Sequence, residues 1–223
     1  MQPKKKRTAG ALLLFFPEKW YTRDKGGEAM EKRNTAGFVA LELAIYLGFL
    51  LADAAGRYAL GVALKYGGIL LCAAYAWRGD HRVALALTLT AAADLFLLVL
   101  GKYLELGVAL FLAVQALYAR RIARDTRWTF GLRILLPLAA WTVLWRLDLF
   151  TPLNLLAAAY FPQLLCNMAL AWGKDRILAL GLTLFIGCDI CVGLWNLFGV
   201  AGTGMWAFYL PSQVLIALSG RKN

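Results

Sequence analysis

Long apolar runs separated by short polar connections set the pattern of the chain from Ala36 to its end. The runs predict eight spanning helices, at roughly 36–53, 58–77, 82–100, 104–121, 130–147, 152–172, 177–198 and 204–219. Each is close to the ~20 helical residues that cross ~30 Å of hydrocarbon. The expected fold is an all-α polytopic membrane bundle occupying residues 35–223, preceded by a basic segment over residues 1–34. In that segment a KKKR run followed by ALLLFF imitates a signal peptide. Its apolar part is short, however, and Pro17-Glu18-Lys19 ends it without a cleavage site. Leu12–Tyr21 reads instead as an interfacial stretch, with Phe15, Phe16, Trp20 and Tyr21 at the headgroups.

Charge orients the bundle. Arg78, His81 and Arg82 fall on one side of the predicted membrane, with Arg120, Arg121, Arg124 and Arg127, then Lys174 and Arg176, then Arg221 and Lys222. The basic N-terminal segment joins them, while the other side has Arg57, Lys102 and Arg146. The excess of basic residues predicts a cell-membrane protein with both termini in the cytoplasm. A net charge of +11 could suggest nucleic acid, but the basic residues sit between apolar runs and not on one amphipathic surface. At 61% hydrophobic residues the chain is well above the composition of soluble domains. Cys72, Cys166, Cys188 and Cys191 all lie in apolar runs and read as buried free thiols, CxxC spacing notwithstanding. With His81 as the only histidine, neither a histidine triad nor a zinc site has its ligands. No cofactor or metal is implied.

Polar residues inside the runs carry the chemistry. The string around Asp94, ALTLTAAADLFLLVL from Ala86, has a partial copy 95 residues later, GLTLFIGCDICVGLW from Gly181, which sets Asp189 opposite Asp94. A carboxyl group at the centre of a spanning helix costs about 2.5–3.5 kcal/mol on insertion scales, which makes each a functional candidate. Gln115-Ala-Leu-Tyr-Ala and Gln213-Val-Leu-Ile-Ala extend the match to the following helices, so a parallel repeat relating helices 3–4 to 7–8 is expected. At ~1.5 Å per residue from the outer ends, Asp94 lies about 9 Å deep, Lys65 and Tyr160 about 12 Å, and Asp189 about 14 Å. Glu42, Gln115, Gln163 and Gln213 fall near ~15 Å in the same count. Lipid cannot satisfy such a layer, so it must line a cavity or a hydrogen-bonded core. Plainer roles are open to its members: Gln115 and Gln213 as interhelical glue, Tyr118 and Tyr160 as packing, Glu42 as the counter-ion of Lys65.

At these residues the chain resembles the YhhN family of eight-helix membrane proteins, which includes the animal lysoplasmalogenases. The resemblance covers roughly residues 36–219. It is carried by Lys65, by Ala92-Ala93-Asp94, by Gly107…Phe111…Tyr118, by Tyr160, by Gly181…Phe185…Asp189 and by Tyr209…Gln213-Val-Leu-Ile. The chain departs from the family pattern at Ala93, where glycine is usual, at Tyr66, where proline is usual, and at Gln115, where histidine is usual. The resemblance implies hydrolysis of the vinyl-ether bond of a single-chain lysoplasmalogen to a fatty aldehyde and a glycerophospho-alcohol. Two carboxyl groups suit that reaction: one protonates carbon, and an ionised partner stabilises the oxocarbenium-like cation and activates water, as in glycosidases. Asp94 and Asp189 are the expected pair, with their roles unassigned, and Lys65 is expected to hold the phosphate or to depress the pKa of one of them. Gln115, Tyr118, Tyr160, Gln163, Tyr209 and Gln213 complete the expected substrate-binding set. A charged midplane on a parallel repeat also suits a lipid or cation transporter, and Gln115 suits a non-catalytic lipid-binding member. Proton-coupled uptake, or binding without turnover, separates these from hydrolysis.

Overall fold

The computed structural model describes residues 25–122, 127–200 and 202–221; the stretch expected at Leu12–Tyr21 lies outside them. The described residues form eight helices and no strand. They are α1 (Lys25–Ala54), α2 (Tyr58–Ala76), α3 (His81–Asp94), α4 (Leu104–Ile122), α5 (Arg127–Arg146), α6 (Pro152–Trp172), α7 (Arg176–Phe198) and α8 (Gly202–Ser219). A π-helical turn, Leu95–Leu100, continues α3 directly after Asp94. The helix starts follow from local chemistry. The Asp80 side chain accepts the Arg82 N–H at 2.8 Å, Thr151 that of Asn154 at 3.2 Å, and Asp175 that of Leu178 at 2.9 Å. Each satisfies an amide that the first turn leaves unpaired. Gly101 and Gly199, at φ +56° and +71°, end α3 and α7 in the left-handed conformation that glycine adopts without strain.

Two details differ from the sequence pattern. Helix α1 starts at Lys25, well before the apolar run, because Glu28-Ala-Met-Glu-Lys-Arg are good helix formers and carry the helix into the polar segment. Among the described residues six helices, α1 to α3 and α5 to α7, are long and apolar enough to cross a membrane. Helix α4 falls outside that set because Glu105, Arg120 and Arg121 occupy its ends. Helix α8 has only 18 residues and turns Ser212 and Gln213 into the interior, where both are fully buried. Polar groups on inward faces lower a helix's hydropathy without meeting lipid.

The chain forms two compact units, Met1–Ala40 and Leu41–Asn223. The first includes the start of α1, where the Thr35 hydroxyl bonds the Glu31 carbonyl one turn back. The second holds every candidate site residue. Within it α3 packs on α4, α4 on α6, α6 on α7, α7 on α8, and α8 back on α3, which closes a ring of five helices. Helix α2 lies against α3 and α8, and α5 lies against α6. Only Pro137 of α5 is buried, so nearly all of that helix is left for lipid. Inside the ring, the Phe185 ring meets Phe111 at 5.5 Å, Tyr160 at 6.5 Å and Tyr209 at 5.5 Å between centroids, mostly edge to face.

Close approach of α7 to α8 depends on Gly181. A Cβ there would stand 2.8 Å from Ile216 Cγ1 and 3.1 Å from the Ser212 carbonyl oxygen. Gly193, one helix face away, has nothing within 4 Å. Gly181→Ala is therefore expected to cost about 1–3 kcal/mol through overpacking. Gly193→Ala, by contrast, gains up to about 1 kcal/mol of helix propensity. Thermal denaturation of the two variants in detergent measures the opposite signs.

Candidate functional site

The two intramembrane aspartates have the same kind of partner. Asp94, at the junction of α3 with its π-helical turn, accepts the Tyr209 hydroxyl of α8 at 2.6 Å. Asp189 of α7 accepts the Tyr160 hydroxyl of α6 at 2.7 Å. Both tyrosines are buried. Phe185 stands between their rings, and Cys188 is within electrostatic range of both carboxyls. The carboxyls differ in access: Asp94 is buried, while Asp189 is half-buried. A phenol donating to a buried carboxylate is a charge-assisted bond, shorter and stronger than a neutral one.

Lys65 is held by other residues than expected. Its ammonium pairs with Asp53 at 2.6 Å and lies over the rings of Trp206 at 4.8 Å and Phe49 at 5.2 Å. One carboxylate and two ring faces thus share the charge. Gly61 makes this possible, since a Cβ there would collide with the Asp53 carboxylate. Glu42 is not the counter-ion. It accepts the Cys72 thiol at 3.2 Å, and its second oxygen is buried without a partner. Trp206 also touches Tyr209, ring to ring, at 5.5 Å, so the cation and Asp94 stand on either side of one aromatic pair.

The amides separate from the acids. Arg133 of α5 donates to Gln163 at 2.9 Å and to Asn167 at 2.7 Å. Asn167 in turn donates to the backbone carbonyl and the side-chain oxygen of Gln115. This network ties α4, α5 and α6 together. Gln213 donates to Ser212 at 3.1 Å. Buried atoms without a hydrogen-bond partner remain at Thr90 Oγ1, Gln115 Nε2, Tyr118 OH and Gln213 Oε1. The single polar layer expected from helix depths is thus three groups: two Tyr–Asp pairs, the Lys65–Asp53 pair, and the Arg133 network. Asn196 belongs to none of these; it is exposed and bonds the Val192 carbonyl. All four cysteines are free and buried.

Arg121 gathers the basic end of the ring. Its guanidinium donates to Asp80 at 3.0 Å, to Asp175 at 2.8 Å and to the Ser219 carbonyl at 2.6 Å. Asp80 and Asp175 are the caps of α3 and α7, so one side chain of α4 holds the starts of both aspartate helices and the end of α8. Sequence reading counted Arg121 only as a surface charge and missed Asp53 and Arg133. A signal for the clasp did exist: Asp80 precedes Asp94 by the same interval as Asp175 precedes Asp189.

Residues 60–220 match the YhhN family. No curated protein and no solved structure matches the chain.

Replacing Arg121 by methionine strips two partly buried carboxylates and a carbonyl of their donor. The expected loss is roughly 2–4 kcal/mol, below the figure for fully buried pairs because both aspartates keep some solvent. Lysine, which cannot fork, should recover only part of it. The thermal midpoints of Arg121→Met and Arg121→Lys in detergent check both statements.

Proposed function

The chain belongs to the YhhN family, and on that premise we propose that it is a membrane hydrolase acting on the vinyl-ether bond of a lysoplasmalogen-like lipid. The products are a fatty aldehyde and a glycerophospho-alcohol. The observation that carries the reading is the pair of intramembrane carboxyls, each held by a buried tyrosine hydroxyl, on either side of Phe185. A structural ion pair would need a cation between them; these acids meet phenols instead.

The reaction is a proton-transfer problem. A carboxylic acid gives its proton to the vinyl carbon remote from oxygen, and the adjacent carbon becomes an oxocarbenium ion. Water adds to that carbon and loses a proton to a carboxylate. The hemiacetal then breaks its bond to the glycerol oxygen, which leaves as the alcohol, and the aldehyde remains. Burial suits both halves, because an acid out of water keeps its proton to higher pH and a cation in low dielectric feels a nearby carboxylate strongly. The tyrosines fix the orientation of the two carboxyls. Lys65, whose partner Asp53 keeps a side-chain exposure of 35%, is the cation for the lipid phosphate, with Trp206 linking it to the Tyr209–Asp94 pair. Gln115 and Gln163 are engaged by Asn167 and Arg133. Their part is to hold α4, α5 and α6 around the acyl chain, which enters sideways from the bilayer. The Arg121 end faces the cytoplasm in this reading.

Purified protein offered lysoplasmalogen should release aldehyde. Asp94→Asn and Asp189→Asn should each lower turnover by about 10²–10⁴-fold, the range for loss of a general acid or base. Tyr160→Phe and Tyr209→Phe should lower it by about tenfold, equal to about 1.4 kcal/mol of orientation. Unchanged turnover in both aspartate variants, with folding intact, removes the pair from the chemistry. Binding of the lipid without any aldehyde identifies a non-catalytic member.

A further inference from the structure

Hydrolysis inside a bilayer needs water at a buried carboxylate, and the ring has an unequal supply of polar atoms to bring it. The two acids differ one helical turn before each. Asp94 is preceded at that position by Thr90, and Asp189 by Phe185. Residues four apart share a helix face, so a small hydroxyl lies beneath one acid and a phenyl ring beneath the other. Phe185 is 2% exposed and makes ring contacts with Phe111, Tyr160 and Tyr209, so an apolar ring takes the place one turn before Asp189. Thr90 is fully buried, and its hydroxyl has no partner.

Thr90 is not alone. On α8, one turn from Tyr209 toward the Arg121 end, Gln213 is fully buried with Oε1 unpartnered. On α4, Gln115 Nε2 and Tyr118 OH are in the same condition. The helix ends gathered by Arg121 give a common origin for depth. At 1.5 Å per residue, Tyr118 lies about 6 Å in, Gln213 about 9 Å, Gln115 about 10 Å, Thr90 about 13 Å and Asp94 about 20 Å. At the origin, a cleft lined by Gly79, Asp80, His81, Arg82, Arg121 and Gly220 opens the same end to solvent. Unpaired buried polar groups cost about 1–3 kcal/mol each, and proteins meet that cost with internal water where the site is polar.

We propose that Tyr118, Gln115, Gln213 and Thr90 hold a file of water leading from the Arg121 end of the ring to Asp94 and not to Asp189. Under the hydrolase reading, on which this part rests, the file assigns the roles. Asp94 is the carboxylate that takes the proton of the attacking water. Asp189, half-buried beside Tyr160 and sealed from the file by Phe185, is the acid that protonates the vinyl carbon. The water contributes its oxygen to the new C–O bond and one proton to Asp94. The proton that Asp189 gave to carbon stays in the aldehyde; on collapse the Asp189 carboxylate takes the hemiacetal hydroxyl proton and Asp94 returns its proton to the departing glycerol oxygen, so both carboxyls end as they began.

The test uses the full chain in detergent micelles and two readouts that need no turnover. In hydroxyl-radical footprinting by X-ray radiolysis of water, buried residues beside internal water are labelled. Tyr118 and Tyr209 should both be labelled in the parent protein. Thr90→Val, which swaps the hydroxyl for a methyl, should lower labelling of Tyr209 several-fold and leave Tyr118 unchanged, because Tyr118 lies nearer the entrance. Thr90→Ser should restore it. The thermal midpoint gives an independent sign. A hydroxyl bound to water is missed when removed, so Thr90→Val should lower the midpoint by about 2–4 °C; removal of a dry, unpaired hydroxyl would raise it. Unlabelled Tyr118 in the parent, labelling of Tyr209 indifferent to Thr90→Val, or a raised midpoint overturns the file. Gln213→Leu repeats the footprint should the valine variant not fold. Where aldehyde release is measurable, Thr90→Val should lower kcat about tenfold with KM unchanged. A parent protein that labels as described yet releases no aldehyde retains the file and loses the hydrolase reading.

Discussion

A single guanidinium determines how this ring closes. Arg121 reaches from α4 to the caps of α3 and α7 and to the last carbonyl of α8, and only arginine has donors spread widely enough for three acceptors at once. The consequence is registration. Asp80 and Asp175 start their helices at one level because they share one cation. Asp94 and Asp189 follow at equal intervals and must therefore arrive at similar depth on the far side of the ring. The position of the acids inside the membrane is set at its edge, where a charged network can be partly solvated and is far less costly than in hydrocarbon.

Lipid imposes the second constraint. It accepts no hydrogen bond, so each polar side chain in the spanning segments either turns inward or finds a partner. Tyr160, Tyr209, Trp206, Phe185 and Phe111 form a continuous row of ring contacts beside the acids. Lys65 extends the same aromatic row through Trp206, its ammonium lying over that ring.

The architecture was largely legible in the sequence because apolar runs mark the order of the eight elements, even where polar residues leave α4 and α8 outside the six helices long and apolar enough to span. The aspartates were legible for the same reason, as charges that lipid does not tolerate. The partners were not. Lys65 meets Asp53 on α1, not Glu42, because helix rotation decides which face each acid presents, and depth counting is blind to rotation. Arg133 went unnoticed inside the run predicted at 130–147; only the packing of α5 against α6 makes it the donor for Gln163 and Asn167. The π-helical turn after Asp94 left no mark in Leu95–Leu100, whose composition would serve an α-helix equally well. The match between helices 3–4 and 7–8 suggested equal surroundings for the two acids. The side chains one turn before them, Thr90 and Phe185, make those surroundings different.

That difference bears on Gln115, which stands where the resemblance implies a histidine. An amide cannot relay a proton as an imidazole does, and a proton path through α4 would end at this residue. Gln115, however, lies about 10 Å short of the acids in depth, and its oxygen is already taken by Asn167. It cannot touch the atoms that react around Asp94 and Asp189. What it can do is offer its free amide N–H groups to water on the way to Thr90. A neutral donor there carries water without taking a charge, and it leaves the acid–base work to the two carboxyls. Under the proposed reading, Gln115 bears on how water is presented to the site, and the Tyr160–Asp189 and Tyr209–Asp94 pairs are intact beside it.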